Sequence, residues 1–74
     1  MQEKLFLLRR RKGYSQKDMA EYLGINETTY NRKERGRAEF TSDEMFAIKH
    51  LFGCNLEDIF MPRGNQIGDK SKVI

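Results

Sequence analysis

The chain has 74 residues, with one cysteine, one histidine and a net charge of +3. A domain of about 60 residues buries only about 60% of the surface that its unfolded chain exposes, so we expect a thin core. A single cysteine excludes a disulfide framework, and the lack of a cysteine–histidine cluster excludes a four-ligand structural zinc site. Packed helices or a partner subunit must therefore supply the stability.

Apolar residues form no run near the roughly 20 residues that a membrane-spanning helix needs. The longest run near the start covers residues 5–8, and three arginines follow it directly, unlike the apolar region of a signal peptide. The sequence predicts a cytoplasmic protein that has no membrane partner.

Positive charge is concentrated in the first half. Residues 1–40 contain ten Lys/Arg and six Asp/Glu (net +4), whereas residues 41–74 contain four and five (net −1). Together with a pI of about 9.2, this asymmetry is typical of a phosphate-binding surface, although solubility alone also makes small proteins basic.

The first two predicted helices lie before residue 24. One covers residues 2–12 and stops at Gly13. The second covers residues 16–23, with Ser15 as its N-cap and Asp18 placed to return a hydrogen bond to the cap. Gly24 ends this helix and permits a positive φ.

Three further helices are predicted. Asn26 is the candidate N-cap of a third helix over residues 27–35, and either Thr41 or Ser42 caps a fourth that ends at Gly53. Asn55 is expected to cap a short fifth helix over residues 56–60, which Met61-Pro62 breaks.

The sequence therefore predicts an all-α domain of five short helices joined by short loops. We place this domain at residues 1–62 and expect residues 63–74 to be a flexible C-terminal tail. Within the tail, Val73-Ile74 is either a disordered end or a strand added across a dimer. Cys54 is expected to be buried in the core, and His50 to be a partly exposed helix residue.

The second and third helices follow the helix-turn-helix plan, in which a tight turn containing glycine joins two short helices. Ala20 supplies the small side chain where the helices cross, and Gly24 supplies the turn. The inner side of the corner is apolar, and its lining residues are Met19, Leu23, Ile25 and Tyr30.

The opposite side of the third helix carries polar residues at helical spacing: Glu27, Thr28, Asn31, Arg32 and Arg35. Arg32 can pair bidentately with guanine, Thr28 can bond a base or contact a thymine methyl, and Glu27 can accept from cytosine. Asn31 could reach a base or a phosphate. This face predicts a helix that reads the major groove of DNA.

Residues 15–30 resemble the lambda-repressor/Cro-type (XRE-type) helix-turn-helix regulators, reading SQKDMAEYLGINETTY. The resemblance continues through RKERG at residues 32–36 and FGCNLEDIF at residues 52–60, and it covers roughly residues 5–60. It implies a lambda-repressor-like DNA-binding domain that acts as a two-fold homodimer on half-sites about 34 Å apart.

The resemblance also implies roles for matched residues. Glu27, Thr28 and Arg32 occupy the usual base-reading positions of the family. The residues at phosphate-contacting positions are Gln16, Asn26, Arg35 and Arg37. Arg9 and Glu34 match a pair that commonly forms an internal salt bridge between the first and third helices.

Some residues depart from the family pattern. Lys33 stands where a large apolar residue is usual, so either the corner is more open or the lysine extends its amine to solvent. Phe40 replaces a common proline, and Phe6 and Leu7 replace polar residues. Phe6 with Leu7 forms either a dimer patch or ordinary packing, and Phe60-Met61 is a second candidate dimer contact.

These observations predict a sequence-specific regulator that binds an operator in double-stranded DNA, and we expect a repressor of the phage or mobile-element type. Residues 9–12 are either a solvated basic helix face or a phosphate clamp. The alternative function is a protein-interaction module such as an antitoxin. We expect neither enzymatic activity nor a small-molecule cofactor or metal, because the sequence shows no nucleophile–base pair, phosphate-binding glycine loop or metal set.

Overall fold

The computed structural model describes residues 1–60, and within this range it is entirely helical. It contains α1 (Glu3–Lys12), α2 (Gln16–Leu23), α3 (Glu27–Glu34) and α4 (Ser42–Phe52), followed by a 3₁₀-helix at Leu56–Asp58. This confirms the all-α fold. No helix in the described part of the chain is long and apolar enough to cross a bilayer.

Helix ends follow the local sequence. Ser15, Asn26 and Thr41 each accept a hydrogen bond from a backbone amide in the first turn of the following helix. These bonds satisfy amides that have no carbonyl partner within the helix. Thr41 rather than Ser42 is the cap of α4. Glycine ends α1, α2 and α4 in the left-handed region that other residues rarely adopt.

The core is small, as the chain length predicts. Seven apolar residues are buried: Leu5, Met19, Ala20, Tyr30, Ile48, Phe52 and Ile59. They come from all four α-helices and from the residue after the 3₁₀-helix. Burying one large apolar side chain contributes about 1.5–3 kcal/mol, so few such residues can be lost before the domain unfolds.

Phe40 lies at the centre of an aromatic cluster. Its ring centroid is 5.9 Å from that of Tyr30 and 5.3 Å from that of Phe60, both in edge-to-face geometry. The loop after α3 is thereby packed against the core. Phe60, one of the candidate dimer residues, is half-buried by this intramolecular contact.

Several expected details differ. The predicted fifth helix is a single 3₁₀ turn, because only three residues lie between Asn55 and Ile59, and Asn55 forms no side-chain cap hydrogen bond. Cys54 is half-buried rather than buried; it packs beside the core and its thiol contacts the Phe52 carbonyl at 3.5 Å. The third helix ends at Glu34, with Arg35 as its C-cap.

Some predictions lie outside the described residues. These are the flexible tail at residues 63–74, the break at Met61-Pro62, the Met61 half of the dimer candidate, and the Val73-Ile74 alternatives.

The first residues of the chain lie against the end of α3. The backbone amide of Gln2 donates to the carbonyl of Glu34 at 2.7 Å. A Cβ placed on Gly36 would lie 3.4 Å from the Met1 nitrogen. Contact with the start of the chain therefore fixes the C-terminal end of α3.

Candidate nucleic-acid interface

The corner between α2 and α3 is built from small residues and a left-handed turn. Ala20 is only 2% exposed where the helices meet. Gly24 has a φ of 73°, and the amide of Ile25 donates to the Ala20 carbonyl at 3.0 Å. A residue with a Cβ is strained at such a φ. The glycine turn therefore lets α3 leave α2 at the angle seen here.

A reciprocal capping box opens α2. The amide of Asp18 donates to the Ser15 hydroxyl at 3.0 Å, and the Ser15 amide donates to the Asp18 carboxylate at 2.9 Å. The hydrogen bond from the Ser15 backbone, with help from the Ser15 side chain, lowers the pKa of Asp18. The carboxylate thus stays ionised at the positive end of the helix dipole.

The outer face of α3 is open to solvent. Glu27, Thr28 and Arg32 are exposed, and Asn31 is half-buried beside α2. None of the four packs into the core, which lies on the Tyr30 side of the helix. This polar surface is available to a large ligand along the whole length of α3.

The residues placed at phosphate-contacting positions flank this face. Asn26, Arg35 and Arg37 are exposed. The carbonyl of the Asn26 side chain accepts from the Thr29 amide at 2.7 Å, so its amide nitrogen is the part that can serve an external acceptor. Gln16 is half-buried and forms two intramolecular hydrogen bonds, one to Glu34 and one with Asn31.

A buried carboxylate connects the three helices of this region. Glu34, 1% exposed, accepts from Arg9 Nε at 2.8 Å and Arg9 Nη2 at 3.2 Å. It also accepts from the Tyr30 hydroxyl at 2.9 Å and from Gln16 Nε2 at 3.0 Å. Arg9 Nη1 continues to the Tyr14 carbonyl at 2.9 Å. The ion pair is thus part of a network that orients α3 against α1 and α2.

The network shifts two proton equilibria. Burial, together with the neighbouring Glu34 charge, raises the pKa of Tyr30 far above its usual value. Burial of Arg9 acts to lower the pKa of its guanidinium, but the hydrogen bond and charge of Glu34 outweigh burial and raise it. Arg9 therefore stays charged and Tyr30 stays protonated at neutral pH.

The sequence did not reveal two contacts of α3. Gln16 Oε1 accepts from Asn31 Nδ2 at 3.1 Å, which joins the start of α2 to the outer edge of α3. Lys33 Nζ lies 2.6 Å from Glu44 Oε1, so the lysine is held by an ion pair to α4 and does not extend freely into solvent. Residue types alone could not pair these groups, because each could equally have faced water.

The basic end of α1 stays exposed at Arg10, Arg11 and Lys12. Arg9 and Arg10 both approach the Phe6 ring, at 5.4 Å and 5.5 Å from its centroid, so this phenylalanine is covered by cations. Leu7, by contrast, is 59% exposed.

Among residues 1–60, no three His, Cys, Asp or Glu side chains are grouped closely enough to hold a metal ion.

Comparison with known families agrees with this geometry. The Helix-turn-helix family model HTH_3 matches residues 5–59, which include all but the first two residues of α1 and the whole of every later helix. No curated protein matches the chain with significance. The matched region runs from the first turn of α1 to the end of the 3₁₀-helix, and α2 and α3 lie within it. The chain therefore belongs to the lambda-repressor/Cro-type (XRE-type) family of helix-turn-helix DNA-binding regulators.

Proposed function

We propose that this protein is a sequence-specific repressor of transcription, of the kind found in phages and mobile elements, and that residues 27–35 enter the major groove of its operator. The observation that supports this most directly is the exposed polar face of α3 beside a capped glycine corner. A helix fits the major groove, where every base pair shows a distinct set of donors and acceptors. A domain that occupies an operator can repress by blocking access to the promoter.

Glu27, Thr28, Asn31 and Arg32 are the proposed base readers. Arg32 donates to a guanine, which is the commonest specific contact of arginine in the major groove. Glu27 accepts from a cytosine amine, and Thr28 contacts a neighbouring base. Asn31 is half-buried at the edge of this face.

Gln16, Asn26, Arg35 and Arg37 are the proposed phosphate contacts. Gln16 lies in the first turn of α2, where free amides and the helix dipole favour an anion. Nε2 of Gln16 has two protons, of which Glu34 takes one, so the second can be donated to a phosphate oxygen. These contacts hold the protein in register without reading sequence.

We further propose that two copies bind together. A two-fold dimer places its two reading helices about 34 Å apart, on successive turns of one face of the duplex. The operator is then a near-palindrome of two half-sites.

Selection of bound duplexes from a random pool tests the function as a whole. We expect recovery of one palindromic sequence, with binding that weakens steeply as salt rises. A pool that stays random after repeated selection would contradict the proposed function.

Two arginine variants separate base reading from phosphate binding. We expect Arg32→Ala to cost about 1–3 kcal/mol on the operator and to relax the preference at one base pair. Arg35→Ala should weaken binding to all duplexes about equally and reduce the slope of log K against log salt by about 1. Affinities on operator, single-substituted operator and random duplex measure both effects. Equal weakening by Arg32→Ala on operator and random DNA would refute its base-reading role.

A further inference from the structure

The side-chain amide of Asn31 is held in one orientation by a chain of hydrogen bonds. Asn31 Nδ2 donates to Gln16 Oε1 at 3.1 Å, and Gln16 Nε2 donates to Glu34 Oε1 at 3.0 Å. Each amide group has a donating and an accepting end. The direction of the chain is therefore decided by the group at its buried end.

Glu34 can only accept. Its two oxygens have about four lone-pair sites, and four donors meet them, two from Arg9, one from Tyr30 and one from Gln16. If the Gln16 amide were reversed, its carbonyl oxygen would face the carboxylate at the same distance. Such a contact leaves two acceptors opposed with no proton between them, which is costly when one of them is 1% exposed.

The orientation of Gln16 in turn fixes that of Asn31. Because Gln16 presents its carbonyl oxygen, Asn31 must present its amide nitrogen to it. Within residues 1–60, Asn31 Oδ1 accepts no hydrogen bond, and Nδ2 keeps a second proton. Asn31 therefore offers solvent one acceptor and one adjacent donor on the reading face of α3.

We propose that Asn31 reads an adenine in each half-site, accepting from its 6-amino group and donating to its N7. This inference rests on the proposed function. Adenine shows a donor next to an acceptor in the major groove, whereas guanine shows two acceptors and cytosine a lone donor. A phosphate shows acceptors only and is repelled by Oδ1. The pre-set amide avoids the rotamer freedom that a solvated asparagine loses on binding.

Two base analogues test this pairing atom by atom. Purine in place of adenine removes the 6-amino donor, and 7-deazaadenine removes the N7 acceptor. On the operator recovered by selection, we expect changing the adenine–thymine pair to another base pair to weaken wild-type binding by between about 5-fold and about 150-fold, and each analogue to give part of that loss.

The matching variant is Asn31→Ala. If Asn31 makes these two contacts, Asn31→Ala should bind each analogue duplex as tightly as it binds the operator that contains adenine. This double-mutant comparison cancels the effect of purine on base pairing, because both proteins meet the same duplex. Circular dichroism of Asn31→Ala confirms that the comparison is made on folded protein.

Gln16 acts here as a positioning residue, and Gln16→Ala tests that role. The analogue penalties should shrink although Asn31 is still present, because the released amide can turn over. Lys17→Ala, an exposed neighbour on the same helix, should leave the penalties at their wild-type values. Unchanged penalties in Gln16→Ala would refute the positioning role.

The outcomes separate this inference from the function on which it rests. A protein that selects no duplex overturns both. A second outcome is that the protein selects a palindrome while the analogue penalties are the same in wild type and Asn31→Ala at every adenine. In that case sequence-specific DNA binding stands, and only the reading of adenine by Asn31 is overturned.

Discussion

Glu34 shows how much of this small domain depends on one charged side chain. It is 1% exposed and lies in α3, yet its partners come from α1, α2 and its own helix. A buried charge is tolerated only when paired and fully hydrogen-bonded, and Glu34 meets both conditions. Removing one partner leaves the other charge buried without compensation.

We expect Arg9→Met to lower the free energy of unfolding by about 3–5 kcal/mol, because it strands the Glu34 carboxylate. That is a large share of the roughly 5–15 kcal/mol that stabilises a typical domain. Urea denaturation followed by circular dichroism measures the loss. Arg11→Met removes an exposed arginine from the same helix and should stay within about 0.5 kcal/mol of wild type. A similar loss in both variants would show that α1 itself, rather than the ion pair, is responsible.

For single residues, the sequence predicted which side chains are exposed better than it predicted which contacts they form. Thr28 and Arg32 are exposed on α3 as helical spacing indicates, because periodicity alone decides which side of a helix faces the core. The bridge from Gln16 to Asn31 could not be predicted, since it depends on the crossing of two helices. The ion pair of Lys33 with Glu44 likewise depends on where α4 packs.

Capping hydrogen bonds determine where the helices begin, and α4 is the clearest example. The amide of Glu44 donates to the Thr41 hydroxyl at 3.1 Å, and the Thr41 amide donates to the Glu44 carboxylate at 2.9 Å. The Glu44 carboxylate also accepts a hydrogen bond from the Lys33 amine. The capping box of α4 is therefore tied to α3 by the same carboxylate.

Thr41→Ala is expected to lower the free energy of unfolding by about 0.5–2 kcal/mol, because the first turn of α4 loses its acceptor. Ser42→Ala removes a hydroxyl one residue later, inside the helix, and should have little effect. Parallel thermal or urea unfolding of the two variants measures the difference. An equal loss of stability in both variants would contradict the assignment of Thr41 as the N-cap of α4.

The same carboxylate predicts a pH dependence. Burial acts to raise the pKa of Glu44, but the hydrogen bonds and charge of Lys33 and the bonds from Thr41 outweigh it, so the folded pKa lies below the usual 4.5. A lowered folded pKa stabilises the domain above the unfolded value, and this stabilisation is lost as pH falls through the folded value.

We therefore expect the stability difference between wild type and Glu44→Gln to be largest at neutral pH and to shrink below about pH 4.5. Urea titrations at several pH values measure this difference. The lowered pKa of Asp18 affects both proteins equally and cancels. A difference that stays constant down to pH 3 would contradict the role of the Glu44 charge.

Element boundaries were predictable where a cap and a glycine frame a helix, as for α2 between Ser15 and Gly24. The last helix was not, because residues 56–60 have helical spacing of apolar residues but are too few to form an α-helix that satisfies its own amides. The structure has a 3₁₀ turn there, in which each bond spans one residue less.

For the whole molecule, the proposed dimer makes a geometric prediction. Half-sites one turn apart lie on the same face of the duplex. Inserting five base pairs between them turns one half-site to the opposite face, so affinity should fall to that of a duplex with a single half-site. Titration of the three duplexes measures this. Equal affinity on all of them would indicate binding as a monomer.

The fold as a whole was predictable because caps, glycines and apolar spacing agree along roughly residues 5–60, and the family model matches residues 5–59. The assembly was not, since surface chemistry alone does not say which apolar side chains meet another copy. Leu7 and Phe46 are both more than half exposed and lie on different helices.

The meeting of the chain start with the end of α3 has a practical consequence. Met1 lies against Gly36, between the two arginines proposed to grip phosphate. Any purification tag fused ahead of Met1 would emerge at this spot and would compete with the duplex for the space beside Arg35 and Arg37. Binding constants are best measured after such an extension has been cut away.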